Sequence, residues 1–211
     1  MKTLKTWAAA AGLVVLTGAA QAALVSRAGG MIYDTTLNIT WLDDWNYAKT
    51  SGFDSDGRMD WTTANNWANN LVYGGFDDWR LPTSLNADGS GPCGPALNCS
   101  GSEMGHMFYN NWGATASNPF STGTNAANLA LFSNVQSGVY WSGTEYAPNP
   151  NSAWLFNTGN GGQGYDTKSR TLYTVAVRPG DVTASVPEPR TLALALLALG
   201  ATVVARRRRS R

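Results

Sequence analysis

Histidine occurs once in this 211-residue chain, cysteine twice, and only 14% of the residues are charged. Each shortage excludes something. A zinc site or a Ser-His-Asp triad would have to use His106, and neither a His-x-x-x-His pair nor a serine nucleophile elbow accompanies it. A metal site with only two thiolates is the weaker reading of the cysteine pair. Low charge beside 11% aromatic residues argues against a charged disordered tail. A coiled coil would need far more Glu, Lys and Leu. No low-complexity tract and no long repeat is present.

The net charge of +1 conceals an asymmetry. Between residues 23 and 187 stand seven Lys and Arg against thirteen of the fourteen acids, a net of −6. A nucleic-acid partner is excluded on that balance. What the chain does have is 23 glycines, 9 tryptophans and 18 asparagines.

The basic residues gather at the ends. Lys2 and Lys5 precede an apolar run from Trp7 to Leu16, and Ala20-Gln21-Ala22 supplies a small-x-small cleavage pattern. Residues 1–22 therefore read as a signal peptide that signal peptidase cuts between Ala22 and Ala23. At the other end, Val186-Pro187-Glu188-Pro189 precedes a fifteen-residue apolar run, 191–205, and then Arg206, Arg207, Arg208, Arg209 and Arg211. As a helix that run measures about 22 Å, short of the roughly 30 Å hydrocarbon core. Snorkelling arginines make up part of the gap, and they fix the cytoplasmic side by the positive-inside rule. The prolines break the helix at its outer edge and leave extended backbone open to an enzyme.

This three-part tail, residues 182–211, closely resembles the PEP-CTERM sorting signal. The resemblance implies recognition by an exosortase and cleavage near Pro187-Glu188-Pro189. It implies a transient stay in the inner membrane through 191–205, and delivery of the body to the cell surface or extracellular matrix.

Residues 23–181 form the body, expected as a single α+β domain. Met31-Ile32-Tyr33 and Leu37–Leu42 flank an Asp34-Thr35-Thr36 turn, which predicts a hairpin. Asp60 is a predicted N-cap for a helix carrying Trp61, Ala64, Trp67, Ala68 and Leu71, ended by Gly74-Gly75. Ser102 caps a second predicted helix, Glu103–Trp112. Short antiparallel strands are expected at 139–141, 153–156 and 172–177, with an Asn160-Gly161-Gly162 turn between the last two. Two helices between groups of strands make the α+β pattern.

Four blocks stand in order along the body: Trp61-Thr62-Thr63-Ala64 with Trp67-Ala68, Gly75-Phe76-Asp77-Asp78-Trp79-Arg80-Leu81-Pro82-Thr83, Tyr140-Trp141-Ser142-Gly143-Thr144, and Val177-Arg178-Pro179. In these blocks the chain resembles the Lcl C-terminal domain family, over about residues 30–180. The resemblance implies a C-type-lectin-like fold and extracellular binding, in some members to polyanionic glycans. The body's −6 departs from that last property, since it repels polyanions.

Cys93 and Cys99 lie six apart in a Gly/Pro-rich loop of an exported body, so a disulfide between them is expected. Asp54, Asp56 and Asp60 resemble part of a calcium loop, and calcium is the one cofactor left open. Gly52 and Thr63 stand where an EF-hand needs acids, so the other reading is an Asp-Gly turn with Asp60 capping the next helix. Alternation along a strand sends Trp79 and Leu81 inward, leaving Asp78 and Arg80 to hydrogen-bond and fix the loop. The tryptophans could stack on sugars, but most have core-like spacing. The expected function is non-enzymatic binding at the cell surface or in a biofilm matrix, with extracellular polysaccharide as a candidate partner. The alternative is an extracellular lectin-fold enzyme of the formylglycine-generating type, marked by a reactive Cys93 or Cys99.

Overall fold

The computed structural model describes residues 24–182. Ala20, Ala22 and Ala23, the expected leader-cleavage residues, lie outside the described residues. So do Val186, Pro187, Glu188, Pro189 and the arginines at 206–209 and 211.

The body is mixed α+β with two sheets. The first has four strands in the order β1-β2-β3-β9: Leu24–Arg27, Met31–Asp34, Ile39–Leu42 and Val177–Pro179, every neighbouring pair antiparallel. The second has five in the order β4-β8-β5-β6-β7: Arg58–Met59, Leu172–Tyr173, Val139–Glu145, Ser152–Asn157 and Gly162–Thr167. Its ladders are antiparallel except for one parallel bridge between Tyr140 and Tyr173.

The expected hairpin forms, with a longer turn. Asp34 Oδ1 accepts the N–H groups of both Thr36 and Leu37, which takes Leu37 out of the ladder, so the return strand starts at Ile39. The run 172–177 is two strands rather than one. Leu172–Tyr173 joins the second sheet and Val177–Pro179 the first, so the chain changes sheets between them. The Asn160-Gly161-Gly162 turn leads into β7, a strand whose Gly-Gln-Gly start hides it from any hydrophobic pattern.

Four α-helical segments occur among the described residues, not two. One-turn helices stand at Tyr47–Thr50 (α1) and Ala126–Leu129 (α4). Helix α2, Trp61–Asn69, starts where expected, with Asp60 accepting from the N–H and hydroxyl of Thr63. It ends before the glycines, which serve a tight turn in which Tyr73 and Phe76 exchange backbone hydrogen bonds. Helix α3, Glu103–His106, is capped by Ser102 and continues as a π-turn over Met107–Asn111. That widened turn sets Asn111 Nδ2 2.7 Å from Asp34 Oδ2, tying the helix to the first hairpin. No helix among the described residues is long and apolar enough to cross a membrane.

Two apolar clusters fill the interior. One gathers Trp67, Trp79, Leu81 and Trp141 beneath α2; the other gathers Trp41, Trp45, Met107, Trp112 and Tyr140. Trp45 is central to the second, stacked on Trp41 with ring centroids 5.2 Å apart and tilted against Trp112 at 4.8 Å. Seven of the eight tryptophans in the body are buried, and Trp61 is half-buried. The tryptophans are the material of the core.

Candidate binding site

The Asp-Trp-Arg-Leu-Pro block and the Tyr-Trp-Ser block meet, and what they build is bracing. Trp79 and Leu81 are buried, while Asp78 and Arg80 point the other way into ion pairs. Asp78 takes two hydrogen bonds from Arg178, at 2.7 and 2.9 Å, and that guanidinium holds the Asp78 carboxyl below the usual carboxylate range. Arg178 also lies over the Phe76 ring at 4.0 Å. Arg80 grips Glu103 through both terminal nitrogens, at 2.8 and 2.7 Å, and Glu103 accepts the Thr83 N–H as well. The Arg80 backbone bridges Val177, and Pro82 accepts the Gly143 N–H.

The second block behaves likewise. Tyr140 is fully buried, its hydroxyl accepting the Gln136 N–H, and burial pushes its phenol far above the usual tyrosine value. Trp141 donates to the Met59 carbonyl, and Trp61 to the carbonyl of Ser142. These residues fasten both sheets to α2 and α3.

The other sequence-marked residues occupy loops. Cys93 and Cys99 are joined by a disulfide, so neither is a free thiol. Asp54 Oδ1 accepts the N–H groups of Asp56 and Gly57, and those bonds keep its carboxyl below the usual range. Asp56 Oδ1 accepts the Arg58 N–H, and Asp60 caps α2. Among the described residues, no three His, Cys, Asp or Glu side chains come together to hold a metal ion. His106 is buried 3.8 Å from Asp34. Burial lowers its tendency to take a proton, and the Asp34 carboxylate pulls the other way.

Two concavities flank α1. The larger, about 510 Å³, lies between α1 and the outer face of α2. Tyr47, Phe53 and Trp67 supply aromatic surface, and Asn66 and Asn70 supply amides. Asn66 is on α2 and Asn70 caps its C-terminal end, Asn70 Nδ2 donating to the Asn66 carbonyl at 2.7 Å. Phe53 is 57% exposed and Val72 is 72% exposed, an unusual placement for large apolar residues at one rim. Flat aromatic surface beside exposed amides suits a ring with one apolar face and a hydroxylated edge.

The second concavity, about 380 Å³, is polar. It brings together Asn46, Lys49, Asp56, Asn134, Gln136 and Tyr173 from four separate segments. Asn46 is 5% exposed, and its Oδ1 has no hydrogen-bond partner among the described residues. A Cβ at Gly57 would collide with that oxygen, and Gly57 sits at φ +80°. Glycine is thus required beside this wall for both space and backbone.

Of these residues the sequence alone points to Asp56 and, as core, to Trp67; Phe53, Asn66, Asn70, Lys49 and the rest of the polar wall carry no sequence signal. The chain's 18 asparagines were the only hint that amides would line the surface. No family model matches this chain, and no curated protein is significantly similar to it.

Proposed function

We propose that this chain is an exported, non-enzymatic binding protein, sorted by an exosortase to the cell surface or extracellular matrix. Its body would hold extracellular polysaccharide in the groove between α1 and α2. The body is read as a C-type-lectin-like domain of the Lcl C-terminal type, and the tail at 182–211 as a PEP-CTERM signal. The reading gives the precursor a transient inner-membrane anchor.

The observation that carries the binding reading is the pairing of exposed Phe53 with Asn66 and Asn70 around a groove of about 510 Å³. Aromatic faces take the C–H face of a pyranose, and amides serve its hydroxyls in both directions. The Cys93–Cys99 bridge favours binding over thiol chemistry, because a formylglycine-type enzyme needs a reactive cysteine.

The test has two parts. Cells with and without the exosortase are fractionated, and the body is followed by blotting beside a variant with Pro187, Glu188 and Pro189 changed to alanine. Unchanged processing in all three removes the sorting reading. The purified body is then applied to a polysaccharide array with and without millimolar calcium. Binding that Phe53→Ala and Asn66→Ala abolish supports the groove, and a blank array removes the glycan reading. Binding unaffected by calcium would set aside the Asp54, Asp56 and Asp60 loop as a cation site.

A further inference from the structure

The polar concavity on the other side of α1 does not share the groove's chemistry. Lys49 on α1 and Asp56 on the following loop both line it. Neither forms an ion pair with the other or with any other described residue. Five of the seven basic side chains of this body are paired: Arg27, Arg80, Lys168, Arg170 and Arg178 each have an acidic partner. Lys49 and Asp56 thus set one ammonium and one carboxylate, neither in an ion pair, at the same concavity.

Their surroundings are built for hydroxyls and amides. Gln136 Nε2 donates to the Asn134 carbonyl, which fixes both residues on one wall. Asn134 Nδ2 approaches Thr50 Oγ1 at 3.5 Å, at the limit of a hydrogen bond. Asn46 Nδ2 donates to the Asp56 carbonyl at 3.4 Å, while its Oδ1 is buried against Gly57. Asp56 is held in place from both sides: its Oδ1 accepts the Arg58 N–H, and its own N–H donates to Asp54 Oδ1.

Segment 47–56 borders both concavities, sending Tyr47 and Phe53 to the groove and Lys49 and Asp56 to the polar side. A polymer lying across α1 would meet both. We infer that the polar concavity is a second subsite of the same binding surface, selecting a disaccharide unit that carries both an ammonium and a carboxylate. This rests on the glycan reading of the groove.

Electrostatics favour that class over a polyanion. The body's net charge is −6, so a polyanionic chain is repelled at long range, and Asp56 repels it again on contact. A zwitterionic unit has no net charge to repel. It places its carboxylate at Lys49 and its ammonium at Asp56, with each like-charged alternative penalised.

The experiment uses the disulfide-intact mature protein and four oligosaccharides of matched length: a neutral glucan, a chitosan oligosaccharide, an oligogalacturonate, and a glucosamine–uronate oligosaccharide with free amines. The expected order places the zwitterionic probe first. Lys49→Gln removes the part of its advantage owed to the carboxylate, and Asp56→Asn the part owed to the ammonium. Because both groups are exposed, each loss is roughly two- to tenfold and shrinks with added salt. Asparagine at 56 keeps an oxygen for the Arg58 N–H, so the turn survives. Equal binding of all four probes, still lost in Phe53→Ala, overturns the charge-selecting subsite while leaving the groove intact. Binding of none overturns both. Tightest binding of the oligogalacturonate overturns the zwitterion assignment alone.

Discussion

Replacing Glu103 by alanine removes one carboxylate and three hydrogen bonds together, two from Arg80 and one from the Thr83 N–H. The Glu103 side chain is 10% exposed and that of Arg80 is 37% exposed. Breaking a fully buried pair from one side costs about 3–5 kcal/mol, and an exposed pair about 0–1 kcal/mol. Water can recover part of the Arg80 guanidinium but little of the cavity left by Glu103. The expected loss is therefore about 2–4 kcal/mol, or roughly 5–15 °C in Tm for a domain of this size. Urea unfolding followed by tryptophan fluorescence measures it directly, because the buried tryptophans report loss of the core. Glu145→Ala is the control: its pair with Lys168 is 2.7 Å long, but Glu145 is 56% exposed, and its loss should cost under about 1 kcal/mol. The double variant Arg80→Met with Glu103→Met should be less damaged than Glu103→Ala, since it strands no charge. A Glu103→Ala protein within about 0.5 kcal/mol of the parent would refute the bracing role given to the Asp-Trp-Arg-Leu-Pro block.

Three further outcomes are expected. His106 resists protonation when folded and takes a proton near pH 6.5 when unfolded. Its contribution is thus complete above that pH and lost as pH falls through the folded value. His106→Gln should flatten the decline in urea midpoint between about pH 7.5 and 5.5, and an unchanged slope would discard this origin. Opening the Cys93–Cys99 loop with a double serine variant should cost about 2 kcal/mol by the entropy of a short loop, read as a Tm shift. An equal Tm for both proteins would contradict it. Gly57→Ala forces a Cβ onto Asn46 Oδ1 at a left-handed backbone position, and should lose about 1–3 kcal/mol along with probe binding at the polar concavity. Full retention of both properties would mean that this wall is not rigid.

Local chemistry was readable in the sequence, and assembly was not. Asp60 and Ser102 cap helices because their side chains reach the first free N–H groups, a rule confined to a few residues. The alternation at Asp78-Trp79-Arg80-Leu81 gave the inward pair and the outward pair correctly, but not Glu103 and Arg178 as the partners. Strand β7 and the split at 172–177 were invisible because pairing partners, rather than propensity, create them. Gly74-Gly75 looked like a helix stop, yet α2 ends at Asn69 and the glycines turn the chain toward Phe76. Both concavities draw on distant segments, so no window of sequence contains them. Asn134 and Gln136 meet Lys49 only because Ser133 hydrogen-bonds to Asp43 and Trp45.

The clasp between Arg27 and Asp181, hydrogen bonds of 2.7 and 2.6 Å spanning 154 residues, has a mechanical meaning. If the body is held by its C-terminal end, as proposed, traction arrives at residue 182. That load reaches the Asp181 carboxylate, which fastens it to the opening strand, before it can peel β9 from β3. Arg178 shares it with Asp78 through the neighbouring bond to the Asp181 carbonyl. Flow or adhesion stress would therefore enter the first sheet at both margins together, and the strands between would resist as a panel instead of unzipping one by one.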